Sequence, residues 1–290
     1  MSAWPFYQKG IKKEKLLVGR RLFCEINPFF YILSTEKEIL KRKCKDTLSK
    51  TVFAYKITNE KLPVVLKTHS SLLLRNLYGV DMQLQRNKVN NIELACEKIN
   101  GLIILPGETF SFWKLIGRPN AKRGFKEGLV IKSGKPASGI GGGLCQMANL
   151  IHWLVLNCAF EVVELNHHTD ALFPDDRRRV PFGTGTSVSY NYLDYRFRNN
   201  TDSNIQILAW CEDGELHGEI RSNKELPYTC ELIEKDMHFQ KEGDKFYRVS
   251  KVFRIINDPL TGNEIKRELI LDNHSEVMYD YSLIPENEIF

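Results

Sequence analysis

The sequence predicts an α+β fold, a mixed helix and sheet core followed by a β-rich C-terminal part. Three observations point there. Residues 87–100 carry an apolar stripe at helical spacing, with Val89, Ile92, Leu94, Ala95 and Ile99. A second stripe, with Met147, Leu150, Ile151, Leu154, Val155 and Cys158, opens at Cys145. From Ser187 onward short alternating runs separated by turns replace the helical period. Hydrophobic residues at 42% and charged residues at 27% of 290 are ordinary for a globular chain, which excludes a collagen-like, low-complexity or largely disordered one.

In chain order, residues 35–50 read as a helix with Thr35 as its cap and Glu38 at capping-box spacing. Leu62 to Leu66 reads as a short strand. The 87–100 helix stops at Gly101, and Leu102 to Leu105 follows as a strand. Pro106-Gly107 marks a turn, and Thr109 to Phe112 a further strand. Residues 117–143 hold eight of the 19 glycines and read as loop. Phe160 to Leu165 reads as a strand with His167-His168 at its exit, and residues 173–186 as loop. Strands are then expected at 187–198, 205–210, 216–221, 228–233, 247–256 and 265–271, the last two joined by a turn at Thr261-Gly262-Asn263. Three regions result: a basic, partly helical part at 1–75, a core at 76–212 and a β-rich part at 213–290.

Charge is distributed unevenly. The chain carries +5 overall, but residues 1–50 hold 12 basic and 5 acidic residues. Such an arm suits a peripheral contact with an anionic membrane surface, and equally a solvated helix face. The start of the chain shows no secretory signal, and the longest uncharged stretch, 136–160, contains too many Gly, Asn, Gln and His residues for a membrane span. The seven cysteines are scattered and form no C-x-x-C pair, which argues against a disulfide framework or a Cys-rich zinc site and for a reducing cytoplasm. No nucleic-acid motif is present.

The sharpest local signal is Gly139-Ile140-Gly141-Gly142-Gly143-Leu144-Cys145-Gln146 ahead of an amphipathic helix. Four glycines in five positions suit a tight turn or a close approach to a ligand. A cysteine at a helix N-terminus is expected to have a depressed pKa, with backbone N–H groups at hand for an oxyanion. Cys145 therefore reads as a nucleophile, as part of a ligand-binding loop, or as a small buried residue. His152, seven residues along the same helix, is too far for a direct bond and reads as packing or surface. His167 and His168 are the better candidate bases, with Asp170 or Glu164 to orient them. A metal site would draw on His167, His168 and Asp170 or Asp175, but adjacent strand residues point to opposite faces, so no metal is expected. The arginines 177–179 could hold an anion or simply be solvated.

The run from Asn90 to Trp210 resembles the VanW family. The elements that carry the likeness are Asn91, Ala95 and Ile99-Asn100-Gly101, then Pro106-Gly107-Glu108-Thr109-Phe110-Ser111-Phe112, then Gly117, Gly124 and Gly128, then Ser138 to Gln146, then Glu164 and His168, then Asp194, Phe197, Asn199 and Asn200. The resemblance implies a bacterial protein associated with vancomycin resistance or cell-wall peptidoglycan metabolism. Some family members look like L,D-transpeptidases that use the motif cysteine. Carried over, that implies Cys145 as nucleophile, His168 as its partner, and Gly141, Gly142, Gly143 and Gln146 around the oxyanion, with a cell-wall peptide or precursor as substrate and no cofactor. The alternative is a binding module that grips such a peptide in the glycine loop. Gly183-Thr184-Gly185-Thr186 stands where many wall-facing members carry Gly-x-Asp-Ala.

Overall fold

The computed structural model describes residues 27–74, 81–132, 135–167, 170–171, 174 and 180–290. The chain divides into two compact units at Leu48. The first contains helix α1 (Pro28–Leu48). It starts earlier than the sequence suggests because Asn27 is its cap, with Oδ1 accepting from Phe30 N at 3.1 Å, and proline is favoured at the first helical position. Thr35 lies inside the helix and donates its hydroxyl back to Tyr31 O at 3.0 Å.

The second unit has mixed α and β structure, as the sequence predicts. Its first half contains β1 (Lys56–Ile57), β2 (Val64–Leu72), α2 (Met82–Ile99), β3 (Leu102–Ile104), β4 (Thr109–Ser111), α3 (Phe112–Ile116), β5 (Glu127–Lys132), β6 (Lys135–Ile140) and α4 (Leu144–Asn157). Then come β7 (Glu161–Glu164), β8 (Asp170–Ala171), β9 (Arg196–Arg198), β10 (Ile205–Glu212), β11 (Glu215–Ser222), β12 (Thr229–Glu242), β13 (Lys245–Asn257) and β14 (Glu264–Val277).

Strands β1-β3-β10-β11-β2 form an antiparallel sheet. Helices α2 and α4 pack on it, burying Ile92, Ala95 and Ile99 from one and Met147, Leu150, Ile151 and Leu154 from the other against Ile205, Ile207, Leu216 and Ile220. Gly218 lets α4 come this close: a Cβ there would sit 2.8 Å from both Leu150 and Leu154 side chains. A small sheet, β4-β9-β7, stacks Phe110 and Phe160 on either side of Phe197 at centroid distances of 5.1 and 5.9 Å.

Two local expectations are corrected. The glycine-rich stretch before Cys145 contains a hairpin, β5-β6, in which Gly128 pairs with Gly139. Residues 187–193 are not a strand despite their alternation. Ser189 bridges to Leu193 around a turn with Asn191 at φ 45°, and regular pairing begins at Arg196. The third sheet, β12-β13-β14-β8, is built from long hairpin strands with β8 added in parallel. It docks on the far end of α4, where Arg254 donates to Leu156 O at 3.5 Å and Tyr228 to Cys158 O at 3.2 Å. Among the described residues no helix is long and apolar enough to cross a membrane.

Candidate functional site

Helix α4 begins directly after the glycine run. Gly141 and Gly143 both have positive φ, 81° and 96°, so the chain turns sharply twice before Leu144. The turn is clamped from several sides. Asn91 on α2 accepts from Lys126 N at 2.8 Å and donates to Lys126 O and Gly142 O, both at 2.9 Å. Gly142 lies against Gly128, where a Cβ would fall 2.1 Å from the Gly128 carbonyl carbon. The stem of the buried Lys88 lies over Gly143, and a Cβ there would meet its Cγ at 1.9 Å. Pro119 closes the elbow at Gly141. We call this clamped turn the glycine elbow.

No side chain caps α4. Gln146 N donates to Gly143 O at 2.9 Å, and among the described residues no backbone acceptor is found for the N–H groups of Leu144 and Cys145. The Gln146 amide ties the helix to β2, donating to Ser71 Oγ at 2.9 Å and to Leu72 O at 2.8 Å.

Cys145 is half-buried. Its thiol donates to Val188 O at 3.7 Å. Burial pushes its pKa up, so the depressed value expected from the helix N-terminus is corrected: at this site desolvation outweighs the helix dipole. Further along the same face of α4, Asn149 Oδ1 accepts from Thr186 N at 2.7 Å. His152 is buried and shares a 3.1 Å hydrogen bond with Tyr195 Oη. Burial, with smaller contributions from His167 and Arg254, lowers its pKa to about 3. Residues Cys145, Asn149 and His152 thus form one edge of the helix, and the 183–190 loop runs along the first part of it.

That loop is held from its other side by the C-terminal sheet. Phe182 N donates to Glu234 at 3.3 Å, the Arg248 guanidinium lies over the Phe182 ring at 4.5 Å, and a Cβ on Gly183 would meet Asn273 and Leu271 at 2.8 Å. His167 Nδ1 lies 3.2 Å from Gly183 O, an arrangement that makes it the donor, and burial lowers its pKa. Among the described residues no contact joins His167 to the Cys145 sulfur. His168, expected as the partner base, lies outside the described residues, as do Asp175 and the arginines 177–179.

Glu164 lies beside a buried polar network. Its Oε1 accepts from Asp194 N at 3.0 Å, and its carboxylate lies 3.7 Å from Arg196. Asp194 is fully buried and accepts from Ser111 Oγ at 2.6 Å, Arg196 Nε at 2.7 Å, Tyr195 N at 2.9 Å and Trp113 N at 3.1 Å. Burial still leaves its pKa raised. Asn199 similarly donates to Ile104 O and Ser203 O at 2.9 and 2.7 Å. These motif residues fasten the fold beneath the site. Lys88, Asn149, Val188 and the β2 end at Ser71-Leu72 border the elbow and were not singled out from sequence. The spacing of Lys88 from Asn91 and of Asn149 from Cys145, one helical turn each, is the signal that could have found the first two.

The VanW like protein family matches residues 87–221. Vancomycin B-type resistance protein VanW of Enterococcus faecalis is 31% identical over 227 residues, covering 78% of this chain and 82% of that protein. The protein YoaR of Bacillus subtilis is 30% identical over 124 residues, 43% of this chain and 39% of that one. No solved structure matches the chain. The matched family region runs from the helix that clamps the elbow to the strand on which α4 packs, and this chain belongs to the VanW family.

Proposed function

We propose that this protein acts in glycopeptide resistance or cell-wall peptidoglycan metabolism, with the elbow taking hold of a stem peptide or its precursor and Cys145 attacking one of its carbonyls. The observation that supports this reading is the position of Cys145 in the first turn of a 14-residue helix, behind a rigid elbow and beside backbone N–H groups without a backbone acceptor. In the attack the sulfur bonds to the carbonyl carbon while the Leu144 and Cys145 N–H groups hold the developing oxyanion. The tetrahedral adduct then expels the amine and leaves a thioester, which a second amine or water resolves. The resting thiol is protonated, so a base must take its proton as the bond forms and hand it to the departing amine. The family resemblance assigns that role to His168.

A second reading, a binding module without turnover, is favoured by the burial that holds the Cys145 thiol up and by its bond to Val188 O. Mass spectrometry on the full chain incubated with a synthetic stem peptide separates the two. An acyl adduct on Cys145 that disappears in Cys145→Ala while peptide binding persists supports acyl transfer. Binding without adduct in both proteins leaves the binding module.

Helix α1 carries the remaining expectation. It exposes Phe29, Tyr31, Ile32 and Leu33, and bears Lys37, Lys41, Arg42, Lys43 and Lys45 against three acidic residues. This pattern suits an anionic lipid surface. Sedimentation with vesicles containing anionic lipid should retain the chain at low salt and release it at high salt; equal retention on neutral vesicles would overturn the assignment.

A further inference from the structure

Away from the elbow, residues 58–62 form a strap tied to the side of β10 that faces away from α2 and α4. Thr58 N donates to Gly101 O at 3.0 Å, Leu62 N donates to Gln206 Oε1 at 2.8 Å, and Gln206 Nε2 donates to Glu60 O at 2.8 Å. Gly101, at φ 85°, admits the strap, since a Cβ there would fall 2.2 Å from Thr58 O. Beside the strap lies a cavity of about 310 Å³, near the lower bound of about 300 Å³ for small-ligand clefts. Leu208 and Trp210 line it from β10, alternating with the core-facing Ile207 and Ala209.

The indole is held in place by the protein itself. His217, its cross-strand neighbour, stacks on it at a centroid distance of 5.3 Å and an angle of 12°. Trp210 Nε1 donates to Glu212 Oε2 at 3.0 Å, and Lys61 Nζ stands over the ring, 5.9 Å from its centroid. The rest of the lining is polar, with Asn59 from the strap and Asn100 from the end of α2. Asn100 Oδ1 accepts from Ala209 N at 3.2 Å. Among the described residues, Asn100 Nδ2, the Asn59 amide and the second Glu212 oxygen have no hydrogen-bond partner, and Lys61 has no carboxylate.

We propose that this cavity binds a pyranose ring bearing an acetamido group, as one unit of an N-acetylated glycan. The slightly positive C–H face of such a ring packs against the same negative π face that draws Lys61. Its hydroxyls, each a donor and an acceptor, suit a rim that offers an ammonium, a carboxylate and a primary amide. The acetamido group supplies the carbonyl acceptor and the N–H donor that the Asn100 and Asn59 side chains call for. Other ligand classes fit less well. One ammonium beside one carboxylate leaves no excess charge to hold a phosphate chain or an acidic peptide, and two apolar residues are too few for a lipid. The site is separate from the elbow, and it stands whether Cys145 reacts or only binds.

Calorimetric titration of the full chain with tetra-N-acetylchitotetraose, cellotetraose and adenosine tests the assignment. The acetylated oligosaccharide should bind, and the sugar without acetamido groups and the stacking nucleoside should each bind about tenfold more weakly or less. Trp210→Ala should weaken binding of the acetylated sugar about tenfold. Asn59→Ala should weaken it about fivefold. Thermal melting checks that Trp210→Ala folds, and Asn59→Ala, at an exposed position, carries the test if it does not. No binding of the acetylated sugar, equal or tighter binding of cellotetraose or adenosine, or unchanged binding in Asn59→Ala overturns the proposal.

Discussion

Around the head of α4, side chains reach across long stretches of chain to backbone. Asn91 holds Lys126 and Gly142, Gln146 holds Leu72, and Asn149 holds Thr186. In the β12–β14 sheet the ladder itself does the holding, and charged side chains pair between neighbouring strands or along one, as Arg254 and Lys266 do with Glu268. The first region depends on individual residues and the second on strand length. The difference teaches that the motif residues of this chain are mostly fasteners: they fix one irregular shape, and little in a regular ladder is equally specific. The plain sheet still matters for the site, because it holds the far side of the 183–190 loop through Glu234, Arg248 and Asn273.

The sharpest way to break the comparison is Asp194→Ala. It leaves four buried donors without their acceptor, among them the Arg196 guanidinium, and should cost about 3–5 kcal/mol in urea denaturation. A loss below about 1 kcal/mol would mean that the network under the site is dispensable. Next comes Gly142→Ala, whose new methyl meets backbone at Gly128 and should cost about 3 kcal/mol. Gly139→Ala is its control, because there the methyl meets only the Val130 side chain at 3.3 Å. Equal effects from the two would show that the elbow is not as closely fitted as its contacts imply.

A pH series tests α4 itself. In the unfolded chain His152 takes up a proton below about pH 6.5, whereas in the fold it stays neutral down to about 3. The unfolded state therefore binds more protons between those values, and stability should fall as pH falls, by about 1.4 kcal/mol per pH unit from this residue. Replacement by glutamine, which can still bond Tyr195, should flatten that part of the profile. The smallest effect belongs to the sheet. Glu268 is held below the usual carboxylate range by Lys266 and Arg254 even though burial works the other way. Its contribution is present above about pH 4.5 and lost as pH falls through its lower folded value. Glu268→Gln should cost less than about 1 kcal/mol at neutral pH, since these pairs are partly open to solvent.

The two long helices of the core and most C-terminal strands were legible in the sequence because their apolar periods are regular. The β5-β6 hairpin was not, since Gly128 and Gly139 carry no alternating side chain, and Gly128 is there for close approach to the elbow at Gly142. Residues 187–193 misled for the opposite reason. Val188 and Tyr190 alternate like a strand but pack on the core from a turn, with Tyr190 edge-on to Trp113. The position of Cys145 in the first turn of its helix was readable, but its protonation was not, because burial is set by tertiary packing, which brings even Val188, 43 residues away, against the thiol.

Gly128 and Gly142 face each other so closely that neither can gain a carbon without displacing the other's main chain. Selection experiments that diversify the elbow to change its ligand should therefore return glycine at both positions whatever activity is demanded. New specificity would have to be written into the surrounding side chains, with Pro119 and Val188 as the places to vary.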